Sequence, residues 1–125
     1  MKSLTFPEIN MIYHITTLSA WHQSISKEFY LPSTFEVDGF IHCSDRNQVL
    51  KTANQFYGQS KDLLLLEIDP NLSLSKIIFE NLEGGEELFP HIYGKLEFFA
   101  IKSIAVFEKK GLKGFEFPST WKKPF

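Results

Sequence analysis

The 125-residue chain carries 13 Lys plus Arg against 15 Asp plus Glu, a formal charge of -2, and a chain of this length suffices for one domain around one core. No global basic field exists to draw in polyanions, so neither a nucleic-acid partner nor association with anionic lipid is expected. Arg46 is the single arginine, so a bound phosphate would be held largely by backbone amides, Lys or His rather than by guanidinium forks.

Residues 1–125 read as a single domain, with a core over 11–108 and an aromatic, basic tail over 109–125. Cys43, the lone cysteine, cannot close an intramolecular bridge, and the start of the chain lacks a long apolar run before a small-residue site, so a cytoplasmic protein is expected. Apolar stretches fall far short of the roughly 20 residues that span a bilayer. Oligomeric state is not legible.

Residues 11–16 read as a strand that puts Ile12, His14 and Thr16 on one face and Met11, Tyr13 and Ile15 on the other. Thr17 and Ser19 are alternative N-caps for a helix whose apolar residues Trp21, Ile25 and Phe29 recur until Pro32 interrupts. After a loop over 32–39, residues 40–43 read as a short buried strand. Ser44 or Asp45 then caps a helix with Val49, Leu50, Ala53, Phe56 and Tyr57 on one face, ending at Gly58. Residues 63–68 read as a buried strand closed by the turn signal Asp69-Pro70-Asn71, and 76–80 as the next, the two being candidates for neighbours in one sheet. Gly84-Gly85 breaks the chain, 89–94 is a rigid loop or the beginning of a strand, and 98–108 is apolar enough for a long late strand. Phe115, Phe117, Trp121 and Phe125 are available to dock the tail. This order does not sustain a βαβα rhythm, which favours α+β with a largely antiparallel or mixed sheet.

His14, His42 and His91 all sit in aromatic or apolar contexts that a buried strand would ordinarily fill with hydrocarbon. A buried imidazole needs hydrogen-bond partners, so three such placements suggest a polar cleft cut into the sheet, against the alternative that each is singly satisfied in the core. Zinc is disfavoured because neither Cys-x-x-Cys nor His-Glu-x-x-His spacing occurs. Cys43 as a nucleophile would need a base other than His42, which alternates to the opposite face, and a small core thiol is the alternative. Glu80, Glu83, Glu86, Glu87 and Glu97 are candidate acid-base or hydroxyl-binding groups. Glu80 stands out because it ends a β-branched strand, and Glu87 because it precedes His91 by four residues. Tyr13, Tyr57 and Tyr93 could stack on a planar ligand or simply fill the core.

Ile12-Tyr13-His14-Ile15-Thr16, Gly39-Phe40-Ile41-His42-Cys43-Ser44 with Gln48 following, Leu64-Leu65-Leu66-Glu67-Ile68-Asp69, Phe79-Glu80 and Glu87-Leu88-Phe89-Pro90-His91-Ile92-Tyr93-Gly94 together resemble domain-of-unknown-function family 952, a group of small, mainly bacterial proteins. The resemblance runs over about residues 11–107, with Phe79 where the family commonly has Trp and Lys95 where Pro often follows Gly94. It implies an ADP-ribosyltransferase-like fold: a curved, split mixed sheet with two helices in the amino-terminal half and NAD clamped in a central cleft. By this resemblance His14 with Thr16 would fill the first-strand role, His42 or Ser44 the second, and His91, Tyr93 or Glu80 the third. His14, His42, His91 and Glu80 are then the expected catalytic residues, Thr16, Ser44 and Tyr93 the expected ligand-binding ones, with no metal and with NAD or an ADP-ribose-like nucleotide as substrate rather than resident cofactor. The implied chemistry is transferase or glycohydrolase, Glu80 stabilising an oxocarbenium-like ribose. Phosphotransfer of the kind found in related RNA-processing enzymes is ranked lower, because it relies on arginines this chain lacks. The alternatives are a non-catalytic module that binds a nucleotide or small metabolite, and a protein-interaction domain that uses its aromatic tail.

Overall fold

In the computed structural model, which describes residues 10–125, strand β1 (Ile12–Thr17) runs antiparallel to β4 (Leu63–Ile68), and β4 pairs antiparallel with β8 (Ile101–Phe107). Strict alternation along β1 divides its side chains as the sequence predicts. Ile12 enters a core cluster with Trp21, Tyr30, Ile41, Leu66 and Ile92, whereas Tyr13 and Ile15 enter a second with Val49, Ala53, Leu65 and Phe107. One sheet thus separates two cores. β4 is apolar on both faces over Leu63 to Leu66 because both are covered.

A second sheet has the order β3-β6-β5, built from β3 (Ile41–His42), β6 (Phe89–Tyr93) and β5 (Lys76–Glu80), and every pairing in it is antiparallel. A ribbon of β2 (Phe29–Tyr30) and β7 (Leu96–Glu97) lies beside them. The two three-stranded sheets meet at one bridge, where Tyr13 and Ser44 exchange backbone hydrogen bonds of 2.7 and 2.8 Å. Continuing that antiparallel register would bring Ile15 opposite His42. No such pair forms among the described residues, so β1 and β3 touch at one point and then part.

Three helices precede residue 57: α1 (Leu18–Ile25), α2 (Phe35–Asp38) and α3 (Val49–Phe56). Thr17 caps α1 by accepting from the Ala20 amide at 3.0 Å. The Asp45 carboxylate accepts the Asn47 and Gln48 amides at 2.8 and 2.9 Å, while the Gln48 side chain accepts the Asp45 amide at 3.0 Å. This reciprocal arrangement closes the amino end of α3. The same Gln48 donates to the Leu88 carbonyl at 2.7 Å and so pins the start of β6.

Several expectations are corrected. Phe29 continues the spacing of Trp21 and Ile25 but is not helical: α1 ends at Ser26, Glu28 adopts a left-handed φ of 64°, and the chain turns into β2 so that Tyr30 can bury its ring against the core. The loop over 32–39 holds the one-turn α2, closed by Gly39 at φ 79°, and the helices therefore number three rather than two. Residues 98–100 form a 3-10 turn before β8 instead of opening the strand. Strands 63–68 and 76–80 are not neighbours, since each lies in a different sheet. No parallel pair occurs among the described residues, so the expected mixed sheet is an antiparallel one. Phe56 faces solvent although the periodicity assigns it to the buried face of α3. The α+β class holds. In the tail, Phe115 is buried in the second core, with Phe117 and Trp121 packed against it. The reading of the amino terminus falls on residues 1–9, outside the described residues. Among the described residues no helix is long and apolar enough to cross a membrane.

Candidate functional site

The structure brings four of the predicted site residues to one face of the β3-β6-β5 sheet and sends two others into the core. Alternation decides which. Ile41, Ile77 and Ile92 point into the first core, so His42, Ile78 and His91, paired in register across the three strands, point the other way. Glu80 on β5 and Tyr93 on β6 share that outer face on either side of the Ile78–His91 pair, and their long side chains reach towards each other.

Glu80 organises this face. Its Oε2 accepts from His91 Nδ1 at 2.8 Å and also from the Tyr93 hydroxyl. Both bonds favour the ionised carboxylate: the Tyr93 hydroxyl, then the His91 imidazole, hold the Glu80 carboxyl below its usual range, and the carboxylate raises the Tyr93 phenol above its own. With Nδ1 committed, His91 keeps Nε2 without a protein partner among the described residues. No buried side-chain nitrogen or oxygen among the described residues lacks a partner, so Nε2 reaches the surface although His91 is only 6% exposed overall. Phe40 stacks on the imidazole with ring centroids 4.0 Å apart and planes 23° from parallel, which fixes its orientation.

His42 stands beside His91. Cys43 donates its amide to Pro90 on β6 at 3.0 Å, so the peptide groups of His42 point away from β6 and the two histidines form a non-hydrogen-bonded pair, the closer kind for side chains. Their rings meet edge to face, centroids 5.5 Å apart. His42 Nε2 contacts Asp38 Oδ2 at 2.9 Å across the turn that Gly39 makes possible. A carboxylate thus orients each histidine, one partly buried and one exposed.

His14 is elsewhere. Its ring lies where β1 and β3 part, with Nδ1 2.6 Å from the His42 carbonyl and Nε2 2.8 Å from the Tyr30 hydroxyl, which in turn is 2.8 Å from Thr16 Oγ1. A carbonyl only accepts, so Nδ1 carries the proton. Burial pushes His14 down to about 4, against the opposing His42 carbonyl bond and with help from the neighbouring His42 charge. The ring is therefore neutral at pH 7, Nε2 accepts from Tyr30, and Thr16 must donate to Tyr30. The result is a directed chain from Thr16 through Tyr30 and His14 to the β3 backbone. It supplies the partner that the His42 carbonyl loses where the strands separate, a bond that fastens the two sheets together.

The expected cleft lined by three histidines is thus two arrangements on opposite sides of β3. Ser44, the remaining predicted residue, is buried at the junction, with Oγ 3.4 Å from Thr52 Oγ1. Tyr30 was missed because it lies within an apparent helix, Asp38 because it lies in an apparent loop, and Phe40 because an aromatic in a short buried strand reads as core. The spacing of Asp38 and His42, four residues, was the available signal for one of them. Cys43 is buried and its thiol is pushed up by desolvation, so it packs as a small hydrophobe. Glu97 is spoken for by the Leu74 amide at 2.8 Å, and Glu87 lies 3.2 Å from Lys51. Arg46 sits 3.3 Å above the Phe117 ring and is engaged in holding the tail. Among the described residues no cluster of three or more His, Cys, Asp or Glu is placed to hold a metal ion. Two concavities lie apart from this face: one of about 550 Å³ between β8 and residues 116–123, and one of about 700 Å³ around Thr17, His22 and Lys61.

The fold is similar to that of protein CC0527 from Caulobacter crescentus. Its crystal structure superposes with a TM-score of 0.76 at 23% identity, covering 85% of this chain and 93% of that one. Its solution structure gives 0.71 at 26% identity, covering 84% and 90%. No curated protein matches. The family model described as "Protein of unknown function (DUF952)" matches residues 15–104, and the chain belongs to that family.

Proposed function

We propose that the outer face of the β3-β6-β5 sheet binds the ribose of NAD or an ADP-ribose-like nucleotide and acts on its glycosidic bond as a transferase or glycohydrolase. The observation that carries this reading is the Glu80 carboxylate shared by His91 and Tyr93, with His91 Nε2 left open to solvent. Glu80 Oε1 has no protein partner among the described residues and accepts a ribose hydroxyl. As nicotinamide leaves, the negative carboxylate lies beside the oxocarbenium-like sugar and stabilises the charge that develops there. His91, its Nδ1 proton held by Glu80, offers Nε2 to take the proton from the attacking acceptor, water in the glycohydrolase case. Phe40 and Tyr93 supply aromatic surface, and His42 holds its imidazole at the neighbouring position.

The parting of β1 and β3 after a single bridge supports the ADP-ribosyltransferase-like fold on which the reading also draws. In this reading His14 and Thr16 do not touch the nucleotide. They position β3, and through it His42. Pinning of Arg46 on Phe117 weighs against the phosphotransfer alternative.

An amide NMR titration with NAD, ADP-ribose and nicotinamide tests the proposal. Saturable shifts at His42, His91 and Tyr93, abolished in His91→Ala, together with nicotinamide release by the native chain, are expected. Binding without release would leave a nucleotide-binding module. Absence of shifts at millimolar ligand, or shifts unchanged in His91→Ala, would overturn the site.

A further inference from the structure

We propose that β5 is the pairing edge of a homodimer, in which two copies align antiparallel about Ile78 and each brings its Lys76 to Glu80 of the other. Among the described residues β5 has one strand neighbour, β6, and no backbone partner on its far side. The hydrogen-bond phase of the sheet says which groups are left open. Pro90 accepts from Cys43 on β3, so residues 90 and 92 face β3, and 89, 91 and 93 face β5. Their register partners Glu80, Ile78 and Lys76 are thereby used, and the amides and carbonyls of Ile77 and Phe79 point outward.

Only a register joining Ile77 of one copy to Phe79 of the other uses all of these groups, giving four backbone hydrogen bonds around a two-fold axis at Ile78. That same register places Lys76 opposite Glu80 twice. Such directly opposed pairs lie at non-hydrogen-bonded positions, where side chains approach most closely and opposite charges attract. The strand Lys76-Ile77-Ile78-Phe79-Glu80 is complementary to its own reverse in charge and in apolar pattern. Phe79, 52% exposed in the single chain, would be covered by Ile77 of the second copy. β5 contains no proline and no bulge to blunt the edge, and its two charges, Lys76 and Glu80, are matched by those of a second copy in this register. An isologous contact of this kind closes on itself as a dimer and does not propagate.

The consequence for the site rests on the reading of Glu80 given above. Lys76 of the second copy would lie beside the carboxylate that accepts the ribose hydroxyl, contributing a cation suited to a neighbouring phosphate. Self-pairing needs no nucleotide, so its test is independent of that reading.

Sedimentation velocity from micromolar to millimolar protein should show the mass rising from 14.5 kDa towards twice that value. Lys76→Glu, which sets carboxylates against each other, should hold the mass at that of one chain, and adding Glu80→Lys in the same chain should restore doubling. Phe79→Pro, which removes an outward amide without touching the ladder to β6, should also prevent it, with circular dichroism confirming a native fold. Amide exchange at Ile77 and Phe79 should slow with concentration in the native chain. A native chain that remains single throughout, whether its edge is free or reserved for a strand of another protein, would overturn the proposal. So would doubling that Lys76→Glu and Phe79→Pro both leave intact.

Discussion

The histidines on the two sides of β3 show how the same residue type takes opposite roles through its surroundings. His14 is sealed within the core, both ring nitrogens used, its neutral form enforced by burial against the pull of the His42 carbonyl, which fixes the tautomer by accepting from Nδ1. His91 is just as buried in area, yet one ring nitrogen is tied to a carboxylate and the other is open. The first arrangement joins sheets; the second leaves a proton-accepting position at the surface. Fractional exposure alone would not have separated them, whereas the partner of each nitrogen does.

Breaking His14 should therefore have the largest effect on stability. His14→Ala opens a cavity and strands both the His42 carbonyl and the Tyr30 hydroxyl, a loss of about 3 to 4 kcal/mol in denaturant unfolding at pH 7. Acid should reproduce much of this in the native chain. The folded imidazole titrates near 4 and the unfolded one near 6.5, so the unfolded state binds more protons between these values. Stability is then full above about pH 6.5 and falls as pH drops towards 4, by roughly 3 kcal/mol for the whole shift. His14→Ala should flatten the upper part of that decline, above the range of ordinary carboxylates. A wild-type chain equally stable at pH 7 and pH 4.5 would contradict the neutral, buried assignment. Tyr30→Phe keeps the ring and removes only the hydroxyl between His14 and Thr16, so a smaller loss of about 1 to 3 kcal/mol is expected.

The contrast also marks what the sequence made legible. Alternation along 11–16 divided the side chains between two faces correctly, and along 40–43 it put His42 and Cys43 on opposite faces, because a strand with a period of two leaves each residue one face. The resemblance to the family was likewise sound, since its motifs are separated and in order. What failed was long-range. Nothing local says that β1 and β3 meet once and part, so three histidines in similar contexts looked like one cleft. Tyr30, which donates to His14 Nε2, lies beyond a helical spacing that Glu28 interrupts, and its role depends on a ring sixteen residues away. Glu80 could be singled out from its position at a strand end, but its partners His91 and Tyr93 became evident only once β5 and β6 were in register.

On the outer face the same comparison predicts small structural effects and large functional ones. His91→Ala removes a stack on Phe40 and one hydrogen bond next to solvent, so the loss should be about 1 kcal/mol, well below that of His14→Ala, while nucleotide-dependent shifts at His42 and Tyr93 disappear. Equal destabilisation by the two substitutions would erase the distinction between a fastening and an open site.

Glu80→Gln sharpens the distinction with the smallest structural change. The amide keeps the size of the side chain and an acceptor for Tyr93, but it removes the negative charge that stabilises the protonated phenol. Tyr93, raised chiefly by its hydrogen bond to Glu80, should then titrate closer to the usual tyrosine value of 10, as read from the pH dependence of its ring carbon resonances. Tyr30 provides the internal control, because burial rather than a carboxylate raises it and Glu80→Gln leaves its surroundings intact. A downward movement of Tyr93 with Tyr30 unmoved would establish that the Glu80 charge governs the outer face alone. An unmoved Tyr93 would mean that the carboxylate is not ionised against it, and Glu80 would lose the electrostatic role on which ribose stabilisation depends.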